Sequence, residues 1–215
     1  MTQCFLIAVG GNKFLNFNNL IDGLRHGVSC ALAHPQLSLR AASSLYRTLP
    51  VGCPGRQPAY LNAILLVECS MPVGTLLRHL KRVERVAGRR TRGLNAPRPL
   101  DLDIIDAGGR CIGQPRRRSR NWARGSGKVS GSRRRPRGWL TLPHPEMARR
   151  DFVLRPLTEI APCWRHPVLK VSARQLLARL PRRPGAMLRV LDSRWISCET
   201  DTSSPNTPAR AVSRG

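Results

Sequence analysis

The sequence predicts an α+β domain of the ferredoxin-like βαββαβ kind, an antiparallel sheet with helices packed on one of its faces. Three observations lead there. Apolar, β-prone runs at 4–9, 37–46, 60–68 and 100–105 supply four strands. Two stretches with helical apolar spacing, 18–33 and 72–88, fall after the first and third strands. The resulting order, β-α-β-β-α-β, is that of the split βαβ motif, although other α+β arrangements stay open.

Each element has its own warrant. Cys4-Phe5-Leu6-Ile7-Ala8-Val9 reads as a buried first strand, ended by Gly10-Gly11-Asn12. Leu20, Ile21, Leu24 and Val28 share one face of the first helix, which His34-Pro35 stops. Residues 37–46 alternate enough for a second strand, and the Gly- and Pro-containing segment 50–58 is a loop. Tyr60 to Glu68 is the strongest strand pattern in the chain. The best helix is 72–88, with Leu76, Leu77, Leu80 and Val83 on one face and Gly88 as its C-terminal stop. Residues 89–97 form a polar loop before the fourth strand. After residue 139, a short extended piece (140–143), a helix from Glu146 ending at Pro156, and a second amphipathic helix (171–180) complete the elements.

A chain of 215 residues suits one domain with a real core. The expected division is one domain over 1–191, a basic insertion at 107–139 and a disordered tail at 192–215. Charge is the outlier of the composition: net +25, nearly all from arginine. Such a balance points to anionic partners, whereas a GC-rich coding bias would produce the same arginine excess without one. Within the insertion, residues 114–137 carry ten basic side chains among Gly and Ser and no acid. A segment of that composition has nothing to bury and is expected to be disordered. It is either an arm for nucleic acid or an insertion of no specific role. The seven cysteines are scattered, with no metal-type spacing, which fits reduced thiols in a cytoplasmic protein. No apolar run approaches membrane-spanning length, so no membrane partner is expected.

The chemistry concentrates in Arg98-Pro99-Leu100-Asp101-Leu102-Asp103. In a strand, residues i and i+2 share a face, so Asp101 and Asp103 stand side by side while Leu102 and Ile104 point the other way. Two like charges that close repel, and a cation between them removes the penalty. Hard oxygen ligands favour Mg²⁺, whose usual protein role is to hold a substrate's phosphates through one or two carboxylates. Arg98 lies three residues away, within reach of phosphate oxygens. The pair thus reads as a metal-assisted phosphoryl or pyrophosphoryl transfer site. The alternative is an ordinary solvated pair of edge residues.

Several separated stretches then match one family in order. They are Ala8-Val9-Gly10-Gly11-Asn12, Ser43-Ser44-Leu45-Tyr46-Arg47-Thr48, Gln57-Pro58-Ala59-Tyr60-Leu61-Asn62-Ala63, Glu84 before Gly88-Arg89, Pro97 to Asp103, Leu142-Pro143-His144-Pro145, and Phe152 to Leu157. From about Phe5 to Trp164, broken only by the basic insertion, the chain resembles the 6-hydroxymethyl-7,8-dihydropterin pyrophosphokinases of folate synthesis. The resemblance implies transfer of the β,γ-diphosphate of ATP to the hydroxymethyl oxygen of a reduced pterin, with release of AMP.

It also implies roles for residues. Asp101 and Asp103 would hold two Mg²⁺ ions. Arg98 and Arg150 would reach the phosphates, Arg89 would stand at the start of a loop closing over ATP, and His144 would contact the nucleotide. Glu84 corresponds to an active-site position on the ATP side. Arg89 and Arg98 join the two aspartates in the catalytic set. Guanidinium suits that work because it stays charged and binds oxyanions bidentately. For the pterin, Tyr60 and Phe152 are the implied stacking pair and Asn62 reads its edge, with Thr48 and Val51 in the loop that supplies backbone contacts. A flat, apolar-faced, hydrogen-bonding ring calls for that combination.

The chain departs from the family pattern at Leu94-Asn95, where some members carry arginine and tryptophan, at Gly11 in place of a serine, and in the basic insertion. The Gly11 change is expected to be without consequence. Two competing readings are a basic RNA-binding protein, resting on the charge, and an inactive relative of the pyrophosphokinases. An aromatic fraction of 5% and the lack of a base-stacking aromatic strand weigh against the first. The expected assembly is a monomer.

Overall fold

The structure is a computed structural model that describes residues 2–13, 17–49, 58–89, 97–113, 140–181, 187–191 and 195–196. Val51, the Leu94-Asn95 loop and most of the basic insertion lie outside the described residues.

Strand β1 (Gln3–Gly11) leads into helix α1 (Phe17–Leu32). Strands β2 (Leu37–Ala42) and β3 (Leu45–Thr48) follow, then β4 (Tyr60–Cys69), helix α2 (Val73–Val86) and β5 (Asp101–Ala107). Helices α3 (Asp151–Ile160) and α4 (Ala173–Ala178) and strand β6 (Met187–Leu191) close the order. The expected second strand is therefore two strands interrupted at Ser43-Ser44. Both halves pair antiparallel with β4, β2 along Val67 and β3 along Leu61. The sheet order β5-β1-β4-β3-β6 places β4 between the two strands of the first βαβ unit, as the split motif requires.

Alternation along the strands divides the core. Phe5, Ile7, Val9, Leu61, Ala63, Leu65, Leu102 and Ile104 pack under α1 and α2. Leu6, Ile64 and Ile105 face the other way, against Val153, Leu154, Leu157 and Leu176 of α3 and α4. Both faces are thus covered, where the sequence reading put helices on one only. Helix α3 also runs through Pro156, the expected stop, to Ile160. Proline costs a helix one backbone hydrogen bond, but Leu157 beyond it is fully buried and holds the next turn on the sheet.

Further departures lie in the C-terminal part. Strand β6 was not foreseen, and it adds an edge beside β3 through pairs such as Tyr46 with Val190. Trp195 and Ile196 are buried core residues, although they fall in the stretch expected to be a disordered tail. The indole Nε1 of Trp195 donates to the Ser43 carbonyl at 2.8 Å, and Arg25 Nε donates to the Trp195 carbonyl at 2.8 Å. At the insertion's near edge, Ala107 is the last residue of β5 and Ile112 bridges to Leu142. Among the described residues, no helix is long and apolar enough to cross a membrane.

Candidate functional site

The site begins with a helix end. Helix α2 buries Leu76, Leu80, Val83 and, on the same stripe, Glu84. A carboxylate on a core stripe needs partners. Gly88 supplies one indirectly: at φ +87° it closes a Schellman motif, with Gly88 N–H donating to the Arg85 carbonyl at 3.0 Å and Arg89 N–H to the Glu84 carbonyl at 3.0 Å. That turn brings the Arg89 guanidinium back onto Glu84 and, at 2.6 Å, onto Asp101 Oδ1.

Strand β5 presents Asp101 and Asp103 opposite Gly10 and Ala8 of β1, and Gly10 in turn stands opposite Asn62 of β4. Arg98 Nη1 lies 2.8 Å from Asp101 Oδ2. Lys81, one turn before Glu84 on α2, reaches Glu84 Oε1 at 2.7 Å and Asp103 Oδ1 at 2.9 Å. Glu84 also accepts the Leu102 N–H at 2.6 Å. Three carboxylates and three cations therefore interlock along one end of β5.

Burial raises the pKa of the Asp103 carboxyl, but Lys81, followed by His144 and Arg89, outweighs it and holds the group below the usual range. For Lys81 burial acts downward, and the charges of Asp103 and Glu84 more than reverse it. Burial pushes Glu84 up, with a smaller push from the Asp101 charge, partly countered by Lys81 and the Leu102 N–H. His144 is lowered by burial against the pull of Asp103. Its Nδ1 accepts the Glu146 N–H at 3.2 Å, so a neutral ring carries its proton on Nε2.

A cleft of about 460 Å³, open mouth included, lies over this strand end. Ala8, Gly10, Asn62, Asp101, Asp103 and His144 line it, with Arg150 and Phe152 on the α3 side. Arg150 caps α3 and sets its guanidinium 5.6 Å from the Phe152 ring centre. The Asn62 amide donates to Thr48 Oγ1 at 2.8 Å, which fixes the amide and leaves Oδ1 toward Gly10. One cleft thus joins an aromatic face and an amide edge to paired carboxylates and arginine.

The structure modifies several expectations. Tyr60 does not line the cleft beside Phe152. It stands two residues along β4 from Asn62, next to Arg98 and Asn12, where burial raises its hydroxyl; two residues of strand are nearly 7 Å. Glu84 is 1% exposed and meets Lys81, Arg89 and the Leu102 N–H rather than the cleft, so it has no open path to a nucleotide. Thr48 acts through its side chain, on Asn62. Arg89 and Arg98 gather on Asp101, outside the cleft lining.

Gly11 is the clearest correction. A Cβ there would stand 2.6 Å from the Pro99 carbonyl oxygen, so β1 and the segment before Asp101 approach more closely than a serine allows.

Two site residues escaped the sequence reading. Lys81 has only its i,i+3 spacing to Glu84 as a signal. Asn12 is buried, and its Oδ1 accepts the Arg98 N–H at 2.9 Å, tying the arginine's backbone to β1. Its position directly after Gly10-Gly11 was the available hint.

An antiparallel α+β sheet whose strand end pairs clustered carboxylates with guanidinium groups defines a protein that handles phosphorylated ligands, of the phosphoryl-transfer class. Comparison with known proteins narrows the class. The profile of the 7,8-dihydro-6-hydroxymethylpterin-pyrophosphokinase (HPPK) family matches residues 6–162, and the chain belongs to that family.

A 2-amino-4-hydroxy-6-hydroxymethyldihydropteridine pyrophosphokinase of Synechocystis is 32% identical over 167 residues, covering 77% of this chain and 71% of that protein. Its counterpart from Haemophilus influenzae is 31% identical, over 72% of this chain and 79% of its own. Among solved structures, an HPPK-DHPS crystallised in complex with substrates superposes with TM-score 0.58 at 13% identity, over 83% of this chain and 43% of that one. A wild-type Plasmodium falciparum HPPK-DHPS gives TM-score 0.55 at 16% identity, over 83% and 42%. The chain spans less than half of these two longer proteins, and at that identity they speak for the fold alone. Nothing in the comparisons favours RNA binding.

Proposed function

We propose that this chain is a 2-amino-4-hydroxy-6-hydroxymethyldihydropteridine pyrophosphokinase of folate biosynthesis, moving diphosphate from ATP to the hydroxymethyl group of 6-hydroxymethyl-7,8-dihydropterin and releasing AMP. The observation that carries this reading is the shared cleft, with Asn62 and Phe152 at one end and Asp101, Asp103, His144 and Arg150 at the other.

Phe152 offers a face for the pterin ring and Asn62 Oδ1 an acceptor for its edge, with Thr48 holding the amide. Val51 completes that end in the same reading, while Tyr60 stands outside it beside Arg98 and Asn12. The hydroxymethyl oxygen then attacks the β-phosphorus of ATP and gives up its proton to water, the bond from that phosphorus to the α,β-bridging oxygen breaks, and AMP leaves with the electron pair. Arg150, Arg98 and Arg89 steady the triphosphate by charge and paired N–H donors. His144 donates from Nε2 to the nucleotide. Fixing the two reactants in line accounts for much of the rate expected of such a site.

Oxygens of Glu84, Asp101 and Asp103 lie within 4.8 Å of one another, a hard donor set that fits Mg²⁺. Asp101 and Asp103 would hold two such ions, with Glu84 behind them. Bound there, the metal supplies neutralisation of charge on the transferred and leaving groups.

One pyrophosphokinase domain, acting as a monomer in the cytoplasm, completes the proposal. The cysteines at 4, 30, 69, 111 and 163 are free thiols, as a reducing compartment would keep them.

The test is AMP release measured by chromatography. The proposal expects AMP only when pterin, ATP and Mg²⁺ are all present, and a loss of more than a hundredfold in Asp103→Asn, in keeping with removal of a metal-holding or oxyanion-stabilising group. Pterin-independent AMP, or unchanged release by the variant, would refute it.

A further inference from the structure

The Lys81 ammonium is engaged on every side. Its Nζ donates to Glu84 Oε1 at 2.7 Å, Asp103 Oδ1 at 2.9 Å and the Leu102 carbonyl at 3.0 Å. Three N–H donors meet three oxygens, so the group is held as a cation in an oxygen cage. The two carboxylate oxygens in that cage belong to the set just assigned to the metal.

We propose that Lys81 is a tethered competitor for those carboxylates, which makes retention of the divalent ion depend on the negative charge of the nucleotide. The inference rests on the metal reading of Glu84, Asp101 and Asp103. The charge balance supports it. Three carboxylates face Lys81, Arg89 and Arg98, so the cluster is formally neutral and attracts a divalent ion weakly by itself. A triphosphate adds several negative charges and shifts the balance toward the metal.

A role confined to neutralising buried Glu84 does not explain the geometry. Glu84 already receives Arg89 and the Leu102 N–H. Lys81 reaches past it, across to β5, and takes the more exposed carboxylate: the Asp103 side chain is 41% exposed against 1% for Glu84. The lysine itself is 36% exposed, so its flexible stem has a path into water when the ion enters. Being tied to α2, it returns when the ion leaves. Lys81 is in this sense a positioning residue that sets metal–nucleotide coupling, and such coupling is reciprocal.

The test reads metal binding without turnover. Free Mn²⁺ is followed by electron paramagnetic resonance during titration of wild type, Lys81→Met, Lys81→Arg and Asp103→Asn, each with and without α,β-methylene-ATP. Folding of each is checked by near-UV circular dichroism. A unit charge about 6 Å from a divalent ion is worth about a tenfold change in affinity even with water-like screening. Lys81→Met is therefore expected to bind Mn²⁺ about tenfold more tightly without nucleotide, and the analogue's enhancement of Mn²⁺ binding to shrink by a similar factor. Lys81→Arg should stay near wild type.

Unchanged or weaker Mn²⁺ binding by Lys81→Met overturns the inference, as does an equal gain in Lys81→Arg, which keeps the charge. If Asp103→Asn binds Mn²⁺ as wild type does, the metal reading of the carboxylates fails, and the competitor role falls with it. Loss of binding in Asp103→Asn with no gain in Lys81→Met sinks the competitor role alone.

Discussion

Adding one methyl group to Gly11 should disturb the site more than any change of comparable size on the surface. The Cβ of Gly11→Ala would lie 2.6 Å from the Pro99 carbonyl oxygen, and 3.0 and 3.3 Å from the side-chain ends of Leu24 and Leu20. The leucines can turn aside. The carbonyl cannot, because carbon and oxygen in contact stand about 3.3 Å apart, so the backbone must retreat by roughly 0.7 Å. That backbone is pinned on one side, where Asn12 N–H donates to the Arg98 carbonyl at 2.9 Å and Asn12 Oδ1 accepts from Arg98 N–H at 2.9 Å. The displacement is therefore passed toward Leu100 and Asp101.

Overpacking of this kind costs about 1–3 kcal/mol, or a fall in Tm of about 2–12 °C for a chain of this size. A misplacement near 1 Å at reacting groups costs about a hundredfold in rate, so AMP release at saturating substrates should fall by roughly ten- to a hundredfold. Gly10→Ala is the control. Its Cβ would meet Asn62 Oδ1 at 3.4 Å, an ordinary contact, and would occupy the cleft floor. It should keep its Tm and raise the pterin KM. Scanning calorimetry and the AMP assay on both variants decide the matter. Wild-type Tm and rate in Gly11→Ala would refute the argument.

Other outcomes follow from the same geometry. Thr48→Val removes the acceptor of the Asn62 amide; a stranded donor costs about 1–3 kcal/mol, so the pterin KM should rise about tenfold or more with the ATP KM unchanged in steady-state kinetics. His166, buried with its Nδ1 accepting the N–H groups of Val168 and Leu169, has its pKa lowered by burial to about 4. Between the ordinary value of 6.5 and about 4 the unfolded chain binds the extra proton, so stability is full above that window and falls as pH drops through it. His166→Asn keeps a side-chain acceptor and should flatten the profile in urea unfolding at pH 4 to 7. Trp195→Ala should lower stability by about 3–5 kcal/mol, measured by the same unfolding, because the indole is buried and hydrogen-bonded to Ser43.

Much of this was legible because the signals were local. Alternation placed Asp101 and Asp103 on one face, and Gly88 marked the turn that aims Arg89. Other features depended on what lies across space. Val190 and Leu191 read as strand only beside β3, and Trp195 sits among Ser, Arg and Thr that argue for a tail until the indole meets Ser43. Pro156 announces a stop that the burial of Leu157 overrides. Lys81 looked like one more exposed base of a strongly basic chain, because its partner Asp103 is 22 residues away. The tight approach of Gly11 to Pro99 has no sequence signature at all, since one glycine reads like another.

The central claim is that a whole diphosphate moves, and ³¹P nuclear magnetic resonance of the reaction mixture tests it most directly. With ATP, Mg²⁺ and 6-hydroxymethyl-7,8-dihydropterin, the account predicts AMP and a diphosphorylated pterin in equal amounts, with two coupled phosphorus signals on the pterin and no ADP. ADP with a singly phosphorylated pterin, or AMP with free pyrophosphate, would contradict it.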